Sequence, residues 1–155
     1  MKTLIAYYSR GGTTKDSAEL IQGITGGDLY EIKGTKKYGN YFKAIGIARK
    51  EFSSGELPEV VGKVRYFKSY DRILVGFPIW YSKAPQLVIS FLKGYNLEGK
   101  DVYPFCTSGM SGPEEAVKQL KKEFPDAIVH DGIRVNHVDK KAVHKWLGDQ
   151  QETKA

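Results

Sequence analysis

The apolar run Leu4-Ile5-Ala6-Tyr7-Tyr8 passes without a spacer into Ser9-Arg10-Gly11-Gly12-Thr13-Thr14. That turn leads straight into a helix-compatible run, Lys15 to Ile24. No other stretch narrows the folding options as much. A continuous apolar run of this kind suits a strand buried on both faces of a parallel sheet. The helix after it, over residues 14–25, places Ala18, Ile21 and Ile24 on one face. A strand, a turn rich in glycine and hydroxyls, and a helix make an arrangement that can cradle a phosphate. Glycine lets the backbone approach closely, the free N–H groups and dipole of the helix favour an anion, and Ser9, Thr13 and Thr14 can donate hydroxyls. The same residues also suit a plain tight turn with Thr13 as the helix cap. The spacing is neither GxGxxG nor GxxxxGK[ST], so the dinucleotide fingerprint and the Walker loop are both absent.

The rest of the chain repeats the alternation of strand and helix. Leu29–Ile32 reads as a short strand, Lys33–Asn40 as a loop, and Tyr41–Phe52 as a helix with Phe42, Ile45, Ala48 and Phe52 inward. Asp71–Phe77 is a third strand stopped by Pro78, and Ala84–Leu92 a helix with Pro85 in its first turn. Asp101–Cys106 is a fourth strand, although Pro104 weakens a fully central place for it. Gly112–Phe124 is a helix. Ala127–Val129 opens a fifth strand that could continue past a bulge to Val135, and Asp139 caps a last helix ending near Leu147. This order predicts an α/β fold with a parallel sheet covered by helices on both faces. Right-handed crossovers leave few topologies. The order 2-1-3-4-5 places a ligand at the carboxyl ends of strands one, three and four.

In that topology three loops meet. The first is Ser9–Thr14. The second is Pro78-Ile79-Trp80-Tyr81-Ser82-Lys83, in which Trp80 and Tyr81 either wall a flat ring by stacking or pack against the following helix. The third is Thr107-Ser108-Gly109-Met110-Ser111-Gly112, which either brings backbone N–H groups to the edge of a ring or is a plain turn. A phosphate cradle, an aromatic wall and a backbone edge together describe a pocket for a flat ring with a phosphate tail, and FMN is the obvious candidate.

These segments resemble the flavodoxin-like family, in particular its short bacterial FMN-binding members. The likeness rests on Tyr8–Lys15, Gly76–Tyr81 and Pro104–Gly112 and runs over residues 1–148, leaving 149–155 as a polar tail. The resemblance implies a flavodoxin-like three-layer sandwich around a five-stranded parallel sheet of order 2-1-3-4-5, with FMN bound non-covalently. It implies a cofactor site of Ser9, Arg10, Gly11, Gly12, Thr13 and Thr14 at the phosphate. Pro78, Ile79, Trp80, Tyr81 and Ser82 would flank the ring, and Thr107, Ser108, Gly109, Met110 and Gly112 would line its edge. There are three departures from the family pattern. Gly11 stands where the phosphate loop commonly has Thr. Tyr81 and Ser82 replace a run that often includes Gly, and positive φ is costly at both. The chain is also basic, whereas carriers of this type are strongly acidic.

Composition bounds the remaining choices. With 155 residues, 41% hydrophobic and 27% charged, the chain is long enough for one globular domain. No apolar run approaches the roughly 18 residues of a membrane span, and no secretory signal is visible. One cysteine excludes an intramolecular disulfide and fits a reducing, cytoplasmic setting. The net charge of +6 points to acidic partners, while no nucleic-acid-binding motif accompanies it. Cys106, at the end of a buried strand, reads as a small hydrophobe rather than a redox residue. His130, His137 and His144 lack metal-ligand spacing. Tyr38 and Tyr41 either reach over the ligand or pack. The functional classes left open are an FMN-dependent electron carrier between proteins, a small NAD(P)H reductase of quinones or related aromatics, and a non-catalytic FMN-binding module.

Overall fold

The first strand forms where the apolar run predicts. In chain order the elements are β1 (Thr3–Tyr7), α1 (Thr13–Thr25), β2 (Asp28–Glu31), β3 (Lys33–Gly34), α2 (Tyr41–Ser54), β4 (Val60–Val61), β5 (Arg72–Pro78), α3 (Gln86–Lys93), β6 (Asp101–Thr107), α4 (Glu114–Glu123), β7 (Ile128–Val129), β8 (Ile133–Arg134) and α5 (Lys140–Leu147). The computed structural model describes residues 2–108, 111–136 and 139–148. The main sheet is parallel, in the order β2-β1-β5-β6-β7, with β8 also pairing with β6. With β7 and β8 counted as two parts of one strand, this is the expected 2-1-3-4-5 order.

Successive side chains of these strands feed two cores. Leu4, Ala6, Ile73, Val75 and Phe77 join residues of α2, α3 and α4 on one face, while Ile5, Tyr7, Leu74 and Phe105 meet α1 and α5 on the other. That is the three-layer arrangement that continuous apolar runs require. A Cβ at Gly76 would collide with the Phe105 ring, so glycine there allows the strand to lie directly under an aromatic side chain.

The fifth strand is broken, and β6 shows why. Asp101 and Val102 face Ile128 and Val129, but Phe105 and Cys106 face Ile133 and Arg134, so one extra residue intervenes on the edge side. The carbonyls of Val102 and Cys106 accept from the N–H groups of His130 and Val135. Alternate residues of a strand direct their backbone groups to the same neighbour, so Pro104 also faces this edge. It has no N–H to give, and the ladder is interrupted beside it.

Two helices begin later than the sequence suggests. Pro85 takes an extended conformation as the N-cap of α3, and the Ala84 N–H is held by Gln119 Oε1 at 2.8 Å, so the helix begins at Gln86 rather than Ala84. Pro113, with helical backbone angles, is the N-cap of α4, which begins at Glu114 in place of the expected start at Gly112. The stretch read as a loop after strand two contains β3, antiparallel to β4. Asp139 caps α5 as expected, accepting from the Ala142 N–H at 2.8 Å. Among the described residues no helix is long and apolar enough to cross a membrane.

Candidate functional site

The turn between β1 and α1 is closed by Ser9, whose Oγ accepts from the Gly12 N–H at 2.9 Å. Gly12 has φ 100°, a left-handed value that glycine takes without steric cost, and it is the N-cap of α1. A glycine cap has no side chain to offer, so the first N–H groups of α1 receive no side-chain hydrogen bond. They stand beside the hydroxyls of Thr13 and Thr14 at the carboxyl edge of the sheet. Open amide donors, the positive end of a helix dipole and two hydroxyls are the chemistry that recognises an anion.

The other two loops close around this turn. Thr14 Oγ1 and Thr107 Oγ1 share a hydrogen bond at 2.9 Å, joining the first loop to the end of β6. The Ile79 N–H donates to the Thr107 carbonyl at 2.9 Å, joining the second loop to the third. Ser108 is fixed from β8 and the residues after it. Its N–H donates to Asn136 Oδ1 at 3.1 Å, and its carbonyl accepts from Asn136 Nδ2 at 2.7 Å and from an Arg134 guanidinium nitrogen at 3.0 Å.

Between the loops lies a cleft of about 310 Å³, within the usual size range of small-molecule sites, roughly 300–1,000 Å³. Ser9, Arg10, Gly11, Thr13 and Thr14 line one side. Pro78, Ile79 and Trp80 line another, and Thr107 and Ser108 a third. The structure therefore brings most of the predicted residues together. Gly12 does not line the cleft and serves as the left-handed N-cap of α1. Tyr81, Ser82 and Gly112 do not line the cleft. Gly109 and Met110 lie outside the described residues, as does His137. Two lining residues were missed or left open by sequence reasoning. Tyr41 stands at the mouth, 55% exposed, with the Arg10 guanidinium 5.8 Å from its ring centroid. Asn136 enters from just past β8, and its signal was a polar amide following the last strand at the same sheet edge.

Trp80 is 2% exposed. Its ring packs edge-on to Tyr8 at 5.8 Å and tilted against Tyr38 at 5.3 Å, so it borders the cleft as part of the core. Tyr38 is turned inward, its hydroxyl donating to the Glu51 carboxylate at 2.9 Å. The two open tyrosines thus separate, Tyr38 packing and Tyr41 facing the cleft. After Trp80 the chain reverses tightly. Trp80 and Lys83 exchange backbone hydrogen bonds of 2.9 and 3.0 Å around Tyr81 at φ 54° and Ser82 at φ 67°. Positive φ at both central residues is the primed hairpin turn, which usually carries Asn-Gly. The expectation that these two residues disfavour positive φ holds for their intrinsic preference, but the paired backbone groups overcome it.

Among the described residues no carboxylate lines the cleft. Burial pushes the Tyr8 hydroxyl up to about 12, with Arg10 pulling weakly the other way, so it remains a neutral phenol. The Cys106 thiol, fully buried under the site, is likewise pushed up to about 12 by burial, which removes its thiolate chemistry at neutral pH.

Crevices outside the carboxyl ends of parallel strands, where the strand order reverses, are where doubly wound proteins hold phosphate-bearing cofactors. This chain is a protein of that class. It belongs to the flavodoxin family, whose sequence profile matches residues 2–150. Among solved structures, it is similar to a Bacteroides eggerthii protein assigned as a flavoprotein, with 34% identity, coverage of 95% of this chain and 96% of the other, and a TM-score of 0.86. A Bacteroides uniformis protein assigned in the same way has 33% identity, coverage of 96% and 98%, and a TM-score of 0.85. A Lactobacillus acidophilus flavoprotein solved in complex with FMN has 28% identity, coverage of 94% and 98%, and a TM-score of 0.79. No match was found among curated proteins.

Proposed function

We propose that the chain binds FMN non-covalently in this cleft and passes electrons through it to and from another protein. The observation that carries the reading is the uncapped N-terminus of α1, with Ser9, Thr13 and Thr14 around it, facing a cleft bordered by Pro78–Trp80 and Thr107–Ser108. The donor set fits a phosphate, and the cleft beyond it fits a flat ring. The FMN complex of the Lactobacillus acidophilus relative supports the same ligand. When bound, the flavin supplies the redox chemistry, and the protein supplies its orientation and electrostatic setting. In this reading the turn and helix hold the phosphate, the Thr14–Thr107 bond keeps the first and third loops in register, and Asn136 fixes the backbone of Ser108. The buried Cys106 thiol takes no part, and a reducing cytoplasm is the natural setting. Titrating the flavin-free protein with FMN and with riboflavin tests the reading. FMN is expected to bind far more tightly, and equal affinity would reject the phosphate cradle.

A further inference from the structure

We propose that the exposed face of α2, together with the Trp80–Lys83 turn, is the docking surface for an acidic redox-partner protein. The proposal rests on the electron-transfer reading above and adds to it the place and the chemistry of the partner.

Tyr41, Ile45, Arg49 and Phe52 recur at helical spacing and share one face of α2. Tyr41 is at the mouth of the cleft, and its neighbour Phe42 is 84% exposed. The Trp80–Lys83 turn folds back onto the same face. The Tyr81 hydroxyl donates to the Ile45 carbonyl at 3.3 Å, and the Tyr81 ring meets Phe52 edge-on at 6.2 Å. Lys83 Nζ lies 5.9 Å from the centroid of the Phe52 ring. Arg49 and Lys83 frame a depression of about 320 Å³ with these two rings. Large rings clustered in the open beside a ligand cleft are the mark of an interaction surface, since a lone soluble domain gains nothing from exposing them together.

The charge of this face is one-sided. Arg10, Arg49 and Lys83 are exposed, and among the described residues none of them is in an ion pair. The sole acid of α2 is Glu51, 1% exposed and turned inward to Tyr38 and Lys36. Neither residues 9–15 nor residues 78–93 contain an Asp or Glu. Several cations elsewhere are matched, as Lys36 is by Glu56, Lys93 by Glu123 and Lys118 by Glu115. Unmatched cations around an aromatic centre are complementary to a surface of carboxylates.

The extent of the patch selects a protein over a small anion. The 14 residues of α2 run roughly 21 Å at ~1.5 Å per residue, and the cations stand on three separate segments. A small ligand would fill one depression, whereas a protein contact of about 800 Å² per partner covers the whole set. A partner seated here would reach the cleft mouth at Tyr41 and Arg10.

The test is equilibrium binding of the FMN-loaded protein to a fluorescently labelled plant-type [2Fe–2S] ferredoxin, a strongly acidic one-electron protein, read by anisotropy. The double reversal R49E/K83E is compared with K141E/K145E, an equal change of charge on α5 across the sheet. At low salt the first is expected to weaken binding by about tenfold or more and the second by less than about threefold, and binding by the unaltered protein is expected to fall as salt rises. The neutral pair R49Q/K83Q should fall between the unaltered protein and R49E/K83E, which separates charge from misfolding. No binding by the unaltered protein at low salt, or equal weakening by both reversals, would overturn the proposal. A complex that forms but passes no electron from the reduced ferredoxin to the bound flavin would instead reject the electron-transfer reading and leave the docking surface standing.

Discussion

Replacing Thr13 by Val should separate FMN from riboflavin in a single measurement. Thr13 is the first residue of α1, is exposed and lines the cleft. Its backbone carbonyl accepts from Ser17 Oγ at 3.2 Å, but among the described residues its own hydroxyl has no partner. Val retains the β-branched shape, so the change removes one donor and breaks no internal hydrogen bond. A hydrogen bond to a charged group is worth about 1.5–3 kcal/mol. At about 1.4 kcal/mol per factor of ten, FMN affinity should fall roughly ten- to 150-fold. Riboflavin has no phosphate to lose, so its affinity should stay within about twofold of the unaltered protein's, a change of only ~0.4 kcal/mol. The assay is the change in flavin fluorescence as flavin-free protein is titrated with each ligand, at fixed ionic strength and without inorganic phosphate. Loss of affinity for both flavins alike, or for neither, would refute the assignment of this turn to the phosphate. Thr14→Val is the contrasting case. That hydroxyl is buried against Thr107, so its removal should also lower the stability of the flavin-free protein, by about 1–3 kcal/mol in a urea titration.

Ser82→Gly should raise stability by about 0.5–1 kcal/mol in chemical denaturation, because it relieves a left-handed residue at φ 67° for a smaller loss of unfolded-state restriction; a decrease would show that the Ser82 side chain contributes something the turn geometry does not. Gly76→Ala should destabilise by about 2 kcal/mol or more, since its methyl group collides with the Phe105 ring, and an unchanged thermal midpoint would contradict the packing. Stability should also fall on the alkaline side. The folded pKa values of Cys106, Tyr8 and Tyr70 are raised to about 12 from ordinary values of 9.0 for the thiol and 10.0 for the phenols. The unfolded chain therefore loses these protons first, and the stabilisation present below pH 9 is lost as pH rises toward 12. Cys106→Ala should move the onset from near pH 9 to near pH 10 in urea midpoints measured along a pH series, while flavin binding at neutral pH is retained.

The strand order was legible because β1, most of β5 and the second half of β6 are buried on both faces, which leaves Leu4–Tyr7, Ile73–Phe77 and Val102–Cys106 without a charged residue. It was less legible where short-range preference and tertiary pairing conflict. Lys33-Gly34 has no strand signature of its own and is a strand only through Val60-Val61. Tyr81 and Ser82 carry the wrong residue types for their turn, and the Trp80–Lys83 pairing holds them there. Ser9–Thr14 announced itself as a turn with spare donors because glycines and hydroxyls adjoin a helix start. Asn136 gave no comparable signal, since its role depends on β8 rejoining β6 after the break, and that register follows from Pro104 together with one extra residue rather than from any local pattern. Tyr38 and Tyr41 were indistinguishable in sequence, and the buried Glu51 that draws Tyr38 inward lies a full ten residues beyond Tyr41 on the helix.

The break beside Pro104 also bears on how copies of this protein behave at high concentration. A long, unbroken outer strand offers a row of free N–H and C=O groups on which a second sheet can grow. Here that margin is reduced to two-residue pieces, Ile128–Val129 and Ile133–Arg134, offset by the extra residue between them. An incoming strand in register with one piece is out of register with the other. At the opposite margin β2 begins with Asp28 and ends with Glu31, so two copies meeting there would set like charges side by side. The interruption that costs the sheet part of a ladder therefore protects it from edge-to-edge aggregation.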